Sequence, residues 1–272
     1  MNVDISVIMG IYNCASTRSE AIDSILNQTY TSWELILCDD GSSDNTYEIA
    51  KQYQNRYPDK IILVRNEKNM GLNYTLNHCL EYVSGKYIAR MDGDDISLPT
   101  RFETEIKILE EEPDIAVVST TMIHFDENGD YATRHTCVEY PKKESLVHGP
   151  IHCHAPCMLK TEVMRSVGGY TVDKKLLRVE DWNLWLKIYA LGLQGKNIPE
   201  PLYKMRDDRN AAGRRKFRYR LNEAHMSGLV VKTLRLPKWK YIYMLRPIIV
   251  GLLPRFLYNY LHRKKLGAGQ SK

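Results

Sequence analysis

The sequence predicts an α/β fold: one domain of sheet and helices over residues 1–205, followed by a basic, amphipathic helical extension over 206–272. Three observations carry this expectation. Short apolar segments alternate with helix-spaced segments from residue 5 to about 120, the pattern of a parallel sheet with helices on its faces. Three of the predicted strands end in polar or acidic junctions, and parallel sheets bind ligands at the carboxyl ends of their strands. Charge then divides the chain. Residues 204–272 hold 18 Lys/Arg and three Asp/Glu, against 20 and 30 in residues 1–203, so the net +5 splits into +15 and −10.

The elements follow in order. Ile5-Ser6-Val7-Ile8-Met9 is an apolar strand opening into Gly10-Ile11-Tyr12-Asn13. Residues Ser16 to Gln28 place Ala21, Ile22, Ile25 and Leu26 at helical spacing, with Ser16 or Thr17 available as N-cap. Glu34-Leu35-Ile36-Leu37-Cys38 is a second strand and opens into Asp39-Asp40-Gly41-Ser42. Ser43 or Asp44 can cap the next helix, which Pro58 stops near Tyr57. Ile61 to Val64 is a third strand and Leu72 to Val83 a third helix. Tyr87 to Met91 is a fourth strand, launched by the Gly85-Lys86 turn. The 121–150 region, with Phe125, Asp126, Tyr131 and Tyr140, reads as a hairpin-like excursion.

The fourth strand ends in Asp92-Gly93-Asp94-Asp95, three carboxylates within four residues. So crowded a group repels itself unless a divalent cation lies among the oxygens. All-oxygen ligands of this kind suit Mg²⁺ or Mn²⁺, held by one or two carboxylates and a substrate's phosphates. The plain alternative is a solvated acidic turn, but two more polar junctions fall at strand ends and can face the same pocket.

These segments resemble the family 2 glycosyltransferases. The resemblance is carried by Ser6-Val7-Ile8-Met9 through Tyr12-Asn13, Ser24-Ile25-Leu26-Asn27-Gln28-Thr29, Asp39-Asp40-Gly41-Ser42-Ser43-Asp44 and Gly85-Lys86 through Asp95. It continues through Gly168-Gly169-Tyr170, Glu180-Asp181-Trp182-Asn183-Leu184-Trp185 and Glu200-Pro201-Leu202, covering about the first 205 residues. It implies a Rossmann-like nucleotide-sugar-binding domain of the glycosyltransferase A type, with a DxD motif. It implies that Tyr12 stacks on the donor base and that Asp40 accepts from a base N–H. Asp92 or Asp94 falls near the ribose, and Asp94 or Asp95 holds a Mn²⁺ or Mg²⁺ cofactor that neutralises the leaving nucleoside diphosphate. Met9, Asn13, Gly71, Asn77, Arg90, Gly93 and Arg206 complete the implied donor contacts. Asp181, paired with Glu180, is implied as general base; its plain reading is an acidic residue favouring a helix start, and both can hold. His152, His154 and Trp182 are implied on the acceptor side.

Two departures qualify the match. Many members carry an arginine shortly before the Asn77 position, where this chain has Leu76, and the residue two before the DxD is Arg90 where an apolar one is common. Arg90 is therefore a candidate replacement cation, with a cross-strand role as the alternative. The Gln-x-x-Arg-Trp motif of processive synthases is absent, which favours transfer of a single sugar. The expected reaction moves one hexose or N-acetylhexosamine from a nucleotide diphosphate sugar, UDP-linked by expectation, to a saccharide that is lipid-linked in surface-polysaccharide synthesis. Other readings are a sugar-1-phosphate nucleotidyltransferase, whose Gly-rich, Arg/Lys-bearing phosphate loop Gly10 to Asn13 does not supply, and a non-catalytic sugar-binding relic.

His152-Cys153-His154-Ala155-Pro156-Cys157 could suggest zinc, but no second ligand pair lies nearby in sequence. Six cysteines without a disulfide-like pattern, and no secretory signal before the first strand, point to a reducing cytoplasm. The basic tail brings no nucleic-acid motif. Its apolar stretch, Tyr241 to Leu257, is broken by Arg246, Arg255 and two prolines, too interrupted to span a bilayer. Such a segment suits the interface of an anionic membrane, or packing on protein, which gives a peripheral enzyme at the inner face of the cell membrane. Residues 267–272 read as a disordered tail.

Overall fold

The computed structural model describes residues 3–134, 138–206 and 217–252; Cys137, Arg209, Arg214, Arg215, Leu253, Arg255, Phe256, Leu257 and the 267–272 tail lie outside them. The elements are β1 (Ile5–Ile11), α1 (Arg18–Leu26), β2 (Trp33–Asp39), α2 (Thr46–Arg56), β3 (Ile61–Arg65), α3 (Leu72–Leu80), β4 (Tyr87–Asp92) and β5 (Ile96–Ser97). They continue with α4 (Arg101–Glu111), β6 (Ile115–Asp126), β7 (Gly129–Arg134), a 3₁₀ turn (Lys143–His148), β8 (Cys157–Lys160) and α5 (Thr161–Ser166). A second 3₁₀ turn (Lys174–Leu176) leads to α6 (Glu180–Ala190), β9 (Gln194–Arg206) and α7 (Phe217–Thr233). A third (Lys238–Met244) leads to α8 (Leu245–Leu252).

One sheet runs β3-β2-β1-β4-β8-β6-β9-β5, with β7 paired to β6. Its first four strands are parallel, as the alternation predicts. Beyond β4 the sheet becomes mixed, because β8 inserts antiparallel between β4 and β6. The order reverses direction at β1, with β2 on one side and β4 on the other. A crevice therefore opens outside the carboxyl ends of β1 and β4, the place where such sheets bind ligands.

Both faces of the parallel strands are covered, so they read as continuous apolar runs. Ile8, Ile36 and Ile88 face the cluster that holds Trp182 and Trp185; Val7, Met9, Leu35, Leu37, Ala89 and Met91 face the other, with Ile22 and Phe102. Each fully buried aliphatic side chain contributes roughly 1.5–3 kcal/mol. The first part of the 121–150 excursion is the β6–β7 hairpin, turned at Gly129 with φ +105°, and its last part holds the 3₁₀ turn Lys143–His148. β9 carries Pro199 and Pro201, and its pairing with β6 slips opposite Thr120–Met122 where proline cannot donate to the ladder.

The described part of the extension packs on the domain. Met226, Val230 and Val231 of α7 join the cluster of Trp182 and Trp185. Among the described residues, no helix is long and apolar enough to cross a membrane.

Candidate active site

The crevice begins with the loop after β1. Asn13 adopts φ +46°, a left-handed conformation that asparagine tolerates, and Tyr12 beside it is 48 % exposed. The loop is strapped to the segment after β2. Asn13 N–H donates to Ser42 Oγ at 3.0 Å, Ser43 N–H to Asn13 Oδ1 at 2.9 Å, Cys14 N–H to Thr46 Oγ1 at 2.8 Å and Ala15 N–H to Asp44 Oδ2 at 3.1 Å. The Asp-Asp-Gly-Ser-Ser-Asp stretch thus holds Tyr12 out as a free aromatic face.

The two aspartates ending β2 divide their tasks. Asp40 is buried and accepts from Asn66 Nδ2 at 2.8 Å, Met70 N–H at 2.8 Å and Gly71 N–H at 2.9 Å. Three of about four carboxylate acceptor positions are taken, so Asp40 braces the loop before α3 and keeps about one position for the base contact expected of it. Gly71, at φ +88°, belongs to that brace. Asp39 accepts from Ser42 N–H at 3.2 Å and pairs with Arg65 at 3.0 Å, while its Oδ1 is buried without a partner. That acceptor points to Asp39, which the motif contained without a role.

At the end of β4, Gly93 is required by contact: a Cβ there would lie 2.8 Å from Ile11 Cγ2. The close approach brings the acidic turn against β1, with Gly10 in register with Asp92. Arg90 is buried and grips Asp92 through both terminal nitrogens. Burial alone would lower its pKa, but Asp92 carries it above the ordinary arginine value. Its Nε is buried without a partner and both terminal nitrogens hold Asp92, so Arg90 supplies a counter-charge inside the turn, where the sequence offered a replacement cation or a cross-strand role. Asp94 is exposed to solvent along the turn, yet partial burial and then Asp92 raise its pKa. Asp95 is buried, and burial, Asp92 and Asp94 push its pKa well above the carboxylate range. Asp95 Oδ1 accepts from Arg206 N–H at 2.8 Å; Oδ2 has no partner.

An orphaned buried oxygen within a like-charged cluster fits a divalent cation. Asp94 and Asp95 are the residues that would hold it, with the donor's phosphates supplying further oxygens. Among the described residues, protein side chains alone gather no group of three or more His, Cys, Asp or Glu fit for a metal. Arg206 sits over the turn: its Nε donates to Asp94 O at 3.0 Å, its guanidinium pairs with Glu20, and it lies 4.5 Å from the Phe125 ring centre.

Asp181 stands in the first turn of α6, half-buried, its Oδ1 accepting from Trp182 N–H at 2.7 Å. Tyr170 is buried, which raises the pKa of its phenol. Tyr170 is fixed from α3, where Asn77 Nδ2 donates to Tyr170 O and Tyr170 N–H to Asn77 Oδ1, both at 2.8 Å. Glu180 starts the same helix, also half-buried.

Several expected contacts are core instead. Met9 is fully buried, because its β1 position faces the side of the sheet covered by Ile22 and Phe102. Asn77 spends its amide on Tyr170. His152 is buried, bonded to Asn197 Oδ1 at 2.7 Å and Tyr189 OH at 3.0 Å, and burial pulls its pKa down to about 4. Trp182 is buried, its indole N–H donating to Leu146 O at 2.7 Å. His154 is half-buried and bonds Tyr170 OH at 2.8 Å; burial and then Arg90 hold its pKa well below the imidazole range.

Sequence reasoning gave no role to Tyr203 or Arg101. Tyr203 OH accepts from Asp92 N–H at 3.1 Å, and Arg101 Nη2 donates to Arg90 O at 2.9 Å while its guanidinium faces the Tyr203 ring. Arg101 is fully buried and paired with Glu105, whose pKa burial lifts to about 8 against the pull of Arg101. A buried ion pair four residues apart leaves a faint sequence trace, since the same spacing marks solvated helix faces.

A Rossmann-like sheet with a carboxylate-lined crevice at its reversal point defines a nucleotide-binding domain of the glycosyltransferase A type. Residues 6–167 match the family described as "Glycosyl transferase family 2". The chain belongs to that family. It is 42% identical to "Putative glycosyltransferase EpsE" of Bacillus subtilis, over 96% of this chain and 94% of that one. It is 31% identical to an Escherichia coli "UDP-Gal:alpha-D-GlcNAc-diphosphoundecaprenol beta-1,3-galactosyltransferase", over 95% of each. In fold it is similar to the crystal structure of S. aureus TarS 1-349 in complex with UDP, with TM-score 0.68 and 16% identity over 90% of this chain and 70% of that one.

Proposed function

We propose that the protein is an inverting, metal-dependent glycosyltransferase that moves one hexose or N-acetylhexosamine from a UDP-sugar to a lipid-linked saccharide, in bacterial surface-polysaccharide synthesis at the cytoplasmic face of the membrane. The observation that carries the reading is the Asp92–Asp95 turn: three carboxylates against the end of β1, one with an orphaned buried oxygen. The activity that names the Escherichia coli relative supports the donor and acceptor classes.

In this reading Tyr12 stacks on the base, and Asp39 Oδ1 accepts from a base N–H. Asp94 and Asp95 hold Mn²⁺ or Mg²⁺, which supplies charge neutralisation at the diphosphate. Asp181 accepts the proton of the acceptor hydroxyl as that oxygen attacks the anomeric carbon from the face opposite the diphosphate. The C–O bond to UDP breaks as the new bond forms, so configuration inverts. Positioned proton removal is worth roughly 10²–10⁴-fold in rate.

The test is a panel of nucleotide diphosphate sugars, with lipid-linked and water-soluble saccharide acceptors, scored for nucleoside diphosphate release and glycosylated product. The expected result is acceptor-dependent UDP release with Mn²⁺ or Mg²⁺ present. Pyrophosphate formation from a sugar-1-phosphate and a nucleoside triphosphate would replace this reading with nucleotidyl transfer.

A further inference from the structure

The third 3₁₀ turn runs directly into α8, and the two form one helical segment that packs on α7. A Cβ on Gly228 of α7 would lie 2.9 Å from Met244 Sδ, so glycine lets this segment approach closely. The outward side of the segment is apolar: Trp239 is 63 % exposed, Ile242 60 %, Leu245 52 %, Ile249 59 % and Leu252 71 %. A shallow groove of about 420 Å³ runs along it, lined by Ile242, Tyr243, Leu245, Arg246, Ile249 and Val250. A contiguous exposed patch of this kind marks an interaction surface.

Charge decides the partner. From Lys232 to Leu252 the chain carries Lys232, Arg235, Lys238, Lys240 and Arg246 and no acidic residue. A two-fold interface with a second copy would set these cations against themselves. Residues 253–272 add five more cations and no acid, so they are no better a cover. An anionic bilayer satisfies both parts, because cations meet the headgroups while aliphatic side chains and an indole enter the acyl boundary.

The face is joined to the acceptor side. Arg246 Nη1 donates to His148 O at 3.2 Å, and His148 packs edge-on against Tyr243. The Lys143–His148 turn also receives the Trp182 indole N–H, one residue from Asp181. On the other flank, Asn222 Nδ2 of α7 donates to Leu177 O at 3.0 Å, just ahead of α6.

We propose that Trp239, Ile242, Leu245, Ile249 and Leu252 form a bilayer-seating surface for an anionic leaflet, which turns the start of α6 towards acceptors carried in that leaflet. The seating stands on the surface itself; its consequence for acceptors rests on the lipid-linked reading above.

The chain supplies its own probe, since Trp33, Trp182 and Trp185 are buried and Trp239 is exposed. The full chain is mixed with phosphatidylglycerol-containing vesicles bearing brominated acyl chains, and tryptophan emission is followed. The expected result is a blue shift and quenching that vanish in Trp239→Phe and weaken at least tenfold in partition coefficient between 0.1 and 0.5 M salt, an ionic-strength range over which screening deepens. Ile242→Ser/Ile249→Ser/Leu252→Ser should abolish vesicle binding, keep the melting profile, and keep transfer to a water-soluble acceptor within about twofold while lowering transfer to a vesicle-borne acceptor at least tenfold. Unquenched Trp239 overturns the proposal. So does a lipid-independent dimer that buries Trp239 and that the triple variant dissociates. Absence of sugar transfer to every acceptor, with quenching intact, would sink the glycosyltransferase reading and leave the seating surface standing.

Discussion

The parallel half of the sheet and the mixed half handle polar side chains in opposite ways. In β3-β2-β1-β4, apart from the buried Ser6–Glu34 pair and Arg90, the polar residues gather at the carboxyl ends of the strands, so Tyr12, Asp39 and the Asp92–Asp95 turn converge on one crevice. In β8-β6-β9 and the helices over them, polar residues such as His152, Asn197 and Tyr189 satisfy one another inside the core. The lesson is that a strand-end motif marks a site because parallel topology fixes where strand ends go, whereas a motif within a helix or excursion carries no such guarantee.

The contrast breaks first if the acidic turn is dispensable. Asp95→Asn should lower turnover by roughly 10³-fold, the scale of losing one preorganised electrostatic group, and chelation should silence the wild type until Mn²⁺ or Mg²⁺ is restored. Full turnover after rigorous chelation would remove the metal assignment. Affinity for the cation should also fall as pH drops, because Asp94 and Asp95, with raised pKa values, take up protons first.

Asp181→Asn comes next, losing roughly 10²-fold or more in turnover with donor binding intact, since a general base acts on the transition state. An equal loss in donor affinity would return Asp181 to a helix-start role.

A pair of aromatic truncations sharpens the comparison. Trp182→Ala, in the mixed half, should cost about 3–5 kcal/mol of stability, the usual range for a buried tryptophan. Tyr12→Ala, at the exposed rim, should raise the donor KM while stability changes by about 0.5 kcal/mol or less. Thermal melts and donor titrations on both variants separate the two halves.

The smallest effect is a pH dependence. His152 has a folded pKa of about 4 against an ordinary 6.5, because burial disfavours its cation. Between those values the unfolded chain binds a proton that the folded chain refuses. Stability should therefore fall as pH drops from 6.5 towards 4, by up to about 1.4 kcal/mol per pH unit for this residue. His152→Gln should flatten that part of the profile; an unchanged slope would mean that His152 is not held neutral.

Much of the parallel sheet and of the turns at its strand ends was legible in the sequence, for a physical reason. Apolar runs with period-independent burial announce parallel strands, and the carboxylates at their carboxyl ends either line the crevice or, like Asp40, brace the loops around it. What was not legible depends on three-dimensional pairing. Nothing local distinguishes Asp39 from Asp40, yet three loop donors occupy one and leave an oxygen of the other bare. Arg90 reads as a free cation until Asp92, two residues on, is seen to take both arms of its guanidinium. Tyr203 lies 111 residues from the backbone amide it accepts from, and no pattern along the chain joins them.

The most direct test of the account is the anomeric configuration of the product. With an α-linked UDP-sugar and Asp181 acting as base opposite the diphosphate, the ¹H NMR coupling at the new anomeric centre should report a β linkage. An α linkage would contradict single displacement, and with it the role of Asp181 and the geometry on which the mechanism stands.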